Sequence, residues 1–159
     1  MREHEDSIYW NENFLLDIQI LDNQHERLIK MTNEIRPIIL NTTETSYYHF
    51  QKFTMEIANY LQYHYNSEER LMLLLDYDEY SIHKEKHAIF LEKIIKAGKT
   101  RTSWNQADLL TFYSFIRNSG LHHLAIHDKS FAEFFIEQRA SGRLGKAFIL
   151  DLSRSPVLA

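Results

Sequence analysis

The sequence contains no cysteine, which excludes disulfides and thiolate metal sites, so any metal must be held by nitrogen and oxygen. No block or face concentrates lysine and arginine, and the formal charge is only -4, so nucleic acid is not an expected partner. The longest uninterrupted apolar run, Leu71 to Leu75, falls far short of the ~20 residues a bilayer-crossing helix needs. No membrane partner is expected. The N-terminal MREHEDS is charged and has no apolar stretch, so a signal peptide is not expected and the cytoplasm is the default location. What is present is a chain of 159 residues, 44% hydrophobic and 13% aromatic, enough for one domain with a buried core.

Residues 1–21 carry Trp10, Phe14 and Leu16 without a sustained helical period and read as an ordered arm packed on the body. A first helix is predicted from Asp22 to Leu40, because His25, Leu28, Thr32, Ile35 and Ile39 recur three or four apart as one inward stripe. Asp22 suits an N-cap or first-turn acid, and Pro37 is predicted to kink or loosen the last turn. After the polar connector NTTETS, a second helix is predicted from about Tyr47 to Leu75. Its seam is Phe50, Phe53, Ile57, Tyr60, His64 and Leu71, with Met72 also in the core. Asp76 to Glu79 breaks the pattern. A third helix is predicted from Tyr80 to Ala97, closed by Gly98 as a C-terminal cap. Lys99 to Gln106 reads as a loop, and a fourth helix starts near Ala107, prolonged by FAEFFIEQ. The expected fold is an all-α, up-down-up-down four-helix bundle with an N-terminal arm and a C-terminal helical extension. Its expected limits are residues 1–131 for the bundle with its arm and 132–159 for the extension, packed on or beside the bundle. Within that extension KAFILDLSR suits a short amphipathic helix. Capping the bundle, covering a pocket and binding a protein partner are all open to it.

Ligand-type side chains mark each of the four helices. His64-x-x-x-Glu68 and His83-x-x-x-His87 each place two donors on one helical face. A tight turn between antiparallel helices brings the two pairs to the same depth. A buried Glu68 would cost several kcal/mol unless a cation accompanied it. Glu69 points about a third of a turn away and is expected to be solvated. His25 lies early in the first helix, while His123 and Asp128 lie late in the fourth, where five residues of ideal helix separate them by about 140°. In an up-down-up-down bundle all seven fall toward the same end. His122 reads as a surface or neighbouring residue, His127 as an alternative to His123 one turn beyond it, with His123 kept, His4 and His49 as solvated, and Tyr60 and Tyr113 as core.

Four stretches, WNENFLLDIQILDNQH, HYNSEERLM, HKEKHAIF and HLAIHDKSF, cover roughly residues 10 to 131. In these the chain resembles the hemerythrins, specifically the bacterial single-domain type, a family that includes up-down-up-down bundles. The resemblance implies two non-haem iron ions with an oxo or hydroxo bridge. One iron would take His83, His87 and His123, and the other His25 and His64, with Glu68 and Asp128 bridging both. Ligand type alone suits zinc, copper and manganese as well as iron, although seven ligands exceed what one zinc can use. The E-x-x-H motif of ferritin-like di-iron enzymes does not occur. The expectation is therefore reversible O2 binding at the two-histidine iron, for carriage, storage, delivery or sensing, rather than oxygenase chemistry. The alternative is a di-iron enzyme, an oxidase, peroxidase or nitric-oxide-processing protein. Four and three residues before His123, relatives usually carry Trp and Leu, where this chain has Ser119 and Gly120. That departure predicts a cavity or channel beside the open iron, unless the C-terminal extension plugs it. Asp17 stands where relatives often carry Gly. The oligomeric state is left open.

Overall fold

The computed structural model describes residues 7–41, 46–100 and 105–144. Its long helices are α1 (Gln19–Leu40), α2 (Ser46–Leu74), α3 (Tyr80–Thr100) and α4 (Gln106–His123). A π-helical turn, Leu124–Asp128, carries α4 without a break into α5 (Lys129–Ala140). Among the described residues there is no strand, and no helix is long and apolar enough to cross a membrane.

Three pairings fix the up-down-up-down order. His25 near the start of α1 meets His64 late in α2, and Gln51 early in α2 donates to the Gly98 carbonyl late in α3 at 2.8 Å. Gln106, the first residue of α4, donates to the Ile39 carbonyl at the end of α1 at 3.2 Å. Each neighbour in sequence therefore runs antiparallel to the last. Asn105 starts α4 by accepting from the Asp108 amide at 2.9 Å, which satisfies one of the free donors of the first turn.

Two apolar clusters fill the interior. One is built on Ile35, Ile39, Phe50, Ile57, Ile94 and Leu109, and the other on Leu16, Leu21, Leu71, Met72, Phe131 and Phe135. Each such side chain contributes about 1.5–3 kcal/mol by leaving water. His25 lies between Leu21 and Ile29, and His64 between Leu61 and Leu71. The histidines thus form a polar layer between two apolar ones. The histidines lie toward the same end of the bundle, as expected, and the arm, Leu71 and the α5 phenylalanines close that end over them.

Other expectations are refined. The arm is docked: the Asn33 side chain accepts from the Ile8 amide at 3.0 Å and donates to the Ile8 carbonyl at 2.7 Å, and Asp22 accepts from the Leu16 amide at 2.8 Å. Trp10 stacks on Phe14, with ring centroids 5.8 Å apart. Asp17 has φ +59°, a left-handed conformation that glycine adopts without strain, which gives a physical reason for a glycine there. Pro37 does not end α1, which continues to Leu40, and the Asn41 amide still reaches the Pro37 carbonyl at 3.0 Å. Gly98 is not a cap. It is a buried helix-interior residue, and a Cβ added there would lie at an ordinary contact distance of 3.5 Å from Thr54. Tyr113 is core and Tyr60 packs against it. His49 is exposed. His4 and KAFILDLSR lie outside the described residues.

Candidate metal centre

Four helical faces deliver seven donors to one layer. His64 and Glu68 are one turn apart on α2 and are 1% and 0% exposed. His83 and His87 are one turn apart on α3, and His25 comes from α1; all three are buried. The remaining pair, His123 and Asp128, corrects the ideal-helix reading. The π turn bonds residue i to i+5, so two residues five apart stack on one face instead of diverging. Their side chains meet, His123 Nε2 lying 2.9 Å from Asp128 Oδ1.

The imidazoles gather in two groups. His83 Nε2 and His87 Nε2 lie 3.0 and 2.9 Å from His123 Nε2, and His25 Nε2 lies 3.0 Å from His64 Nε2. Asp128 faces both groups: Oδ1 approaches His83 at 3.2 Å and His123 at 2.9 Å, while Oδ2 approaches His25 at 3.2 Å. Glu68 Oε2 likewise lies 3.3 Å from His87, 3.6 Å from His83 and 3.8 Å from His64.

This arrangement is unsatisfied by protein hydrogen bonds. A neutral imidazole carries one N–H, so His123 Nε2 cannot pair with two other Nε2 atoms as donor and acceptor at once. Both Glu68 oxygens, Asp128 Oδ1 and His25 Nδ1 are buried without a hydrogen-bond partner. Orphaned carboxylate oxygens among converging lone pairs are costly unless a cation lies between them. The donor set fits metal ions, and two groups of donors within 4.8 Å of one another can be drawn, with Asp128 in both.

A family model described as the hemerythrin HHE cation binding domain matches residues 16–134. The chain belongs to the hemerythrin family. Curated relatives include the bacteriohemerythrin of Clostridium acetobutylicum, 26% identical over 54% of this chain and 67% of its own length. Those of Stenotrophomonas maltophilia and Pseudomonas aeruginosa are 27% and 25% identical, each over 55% of this chain and 55% of their own length. The chain thus spans about half to two thirds of the curated relatives it matches. No solved structure matches it significantly.

Around the donors, this hemerythrin domain braces its imidazoles from behind. His87 Nδ1 pairs with Glu69 at 3.1 Å, and Lys84 lies 3.3 Å from the other Glu69 oxygen. Glu69 is therefore not solvated as expected: the α2–α3 contact folds it over His87. His64 Nδ1 pairs with Gln24 Oε1 at 2.9 Å, and the Gln24 amide donates to Ser67 at 3.2 Å. Such partners fix the tautomer and orientation of a ligand imidazole. Gln24 and Ser67 were missed because neither type is a ligand and their helices are far apart in sequence. The ring of Tyr65 stacks on His87, with centroids 3.7 Å apart and planes within 9°. His127 keeps to one side, its ring 5.2 Å from His123, and His122 is exposed.

Burial opposes ionisation of Glu68, and Asp128 opposes it further, yet the nearby imidazoles of His83 and His87 hold it down at about 2. Burial is outweighed in the same way at Asp128, which His123 holds well below the ordinary value. Burial also disfavours charge on His83, but Asp128 and Glu68 raise it to about 9. His64 is pushed down to about 3 by burial and by His25. Without metal, Glu68 favours the charged forms of His83 and His87, which offset its own charge.

A cavity of about 70 Å³ adjoins the layer, several times the space of one water. It touches His25, His64 and Asp128, the whole two-histidine group, but of the other imidazoles only His123. Gly120 lines it, and a Cβ added there would meet nothing within 4 Å. Ser119 is half-buried and does not line it, because the helix turns its side chain about 100° from that of Gly120.

Proposed function

We propose that the seven donors hold a pair of non-haem iron ions and that the chain binds O2 reversibly on the side of the cavity. His83, His87 and His123 would hold one ion and His25 and His64 the other, with Glu68 and Asp128 shared between them alongside an oxo or hydroxo bridge. The observation that carries this reading is the division of Asp128, one oxygen toward each imidazole group. An iron pair held there would, when reduced, supply the electrons that bind O2.

The protein's own contribution is placement and exclusion. Glu69 and Gln24 orient His87 and His64 through their Nδ1 atoms. The apolar clusters above and below keep water from the carboxylates and strengthen their hold on a cation. Five neutral imidazoles against two carboxylates bring little negative charge, which favours reversible binding over oxidation of a substrate. The absorption spectrum of iron-loaded protein, cycled between O2 and argon, tests the reading. A charge-transfer band that appears with O2 and vanishes under argon is expected; iron-loaded protein with no O2-dependent band overturns it.

The open space at Gly120 favours a second reading, a di-iron enzyme whose pocket admits a larger substrate than O2. Catalytic consumption of peroxide, nitric oxide or an organic reductant by the iron-loaded chain would favour it over a carrier or sensor.

A further inference from the structure

The cavity beside the two-histidine group is walled almost wholly by aliphatic and aromatic side chains. Apart from the proposed ligands, three polar side chains line it: Thr32, Tyr65 and Arg117. The Thr32 hydroxyl is taken, donating to the Leu28 carbonyl at 2.9 Å. Arg117 is engaged with the Asn118 side chain at 3.0 Å. Tyr65 differs from both. It is 3% exposed, its ring is fixed flat against His87, and no hydrogen bond of its hydroxyl is found among the described residues.

A buried phenol almost always finds a partner, because an unmade hydrogen bond in an apolar site is costly. The stack on His87 holds the ring in place, so the hydroxyl is a donor at a preset position on a residue that lines the cavity. Pre-set donors bind an acceptor without the entropy loss of ordering a mobile side chain.

We propose that the Tyr65 hydroxyl donates a hydrogen bond to the small ligand bound in this cavity. Tyr65 then strengthens the binding of small ligands that present an anionic accepting atom, azide among them. This inference rests on the iron reading above, and deepens it. Tyr65 positions the ligand rather than holding iron.

Azide is the probe, with wild-type and Tyr65→Phe chains loaded with iron. The Phe ring keeps the stack and the volume and deletes only the hydroxyl. Iron per chain is measured first and is expected to be equal in the two. The azide Kd, read from its charge-transfer band, is expected to rise about tenfold in the variant, or about 1.4 kcal/mol. The azide stretching frequency in the wild type is expected to shift between H2O and D2O, and this shift is expected to be absent in Tyr65→Phe. Equal iron, equal Kd and no isotope shift in the wild type would overturn the inference and leave the iron reading standing. Loss of iron in Tyr65→Phe would make Tyr65 a brace of the centre and overturn it as well. A wild-type chain that binds no iron would sink the iron reading and this inference together.

Discussion

The two sides of the centre differ in how they are supported. The three-histidine side is packed and braced: Glu69 pairs with His87, Lys84 with Glu69, and Tyr65 covers the His87 ring. The two-histidine side has one imidazole fewer. His64 is held by Gln24, His25 Nδ1 has no hydrogen-bond partner, and an apolar cavity stands where further support would be. A site in which every donor position is braced and filled has nowhere for a ligand to enter. The contrast teaches that reactivity is directed as much by what the protein leaves empty as by its donors.

Breaking the link between the sides should have the largest effect. Replacing Asp128 by Ala removes the carboxylate that faces both groups, and iron retained after desalting is expected to fall from a pair of ions per chain to almost none by metal analysis. Replacing Glu68 by Leu should abolish paired binding too, and destabilise the metal-free chain by about 3–5 kcal/mol in denaturant unfolding, because it leaves the charge that Glu68 favours on His83 and His87 buried without its partner. A metal-free Glu68→Leu chain as stable as wild type would show that Glu68 forms no ion pair without metal.

Next come the braces, which separate the two sides. Glu69→Leu and Gln24→Leu should each weaken iron binding about 10- to 100-fold in competition with a chelator. Glu69→Leu is expected to release the first iron from the three-histidine side, and Gln24→Leu from the other, distinguishable by Mössbauer spectra. Filling the cavity with Gly120→Leu should leave iron content unchanged and slow autoxidation several-fold; an unchanged rate would show that the space at Gly120 plays no part. The smallest effect is in the arm. Asp17→Gly relieves a left-handed φ and should raise stability by about 1 kcal/mol, read as a shift in denaturant midpoint, with no change at the centre.

Much of this was legible in the sequence, and for stated reasons. Stripes three and four apart marked the helices, since tertiary packing demands an apolar face on each. His64, Glu68, His83 and His87 stood out because i, i+4 spacing puts each pair on one face. His123 and Asp128 were harder, since the i+5 register of a π turn has no local sequence signal and ideal geometry argues against their meeting. Glu69 read as solvated because it is one residue off the stripe, and only the approach of His87 from α3 draws it in. Gly98 read as a cap because glycine often ends helices, whereas α3 runs on past it to Thr100. Tyr65 passed unremarked, being next to a stronger signal.

The central claim is that donors from four helices close on two neighbouring iron ions, and X-ray absorption at the iron edge tests it most directly. We expect an iron scatterer within about 4 Å of each iron, with first-sphere atoms that are only nitrogen and oxygen. An isolated iron with no such neighbour in the fully loaded protein would contradict it.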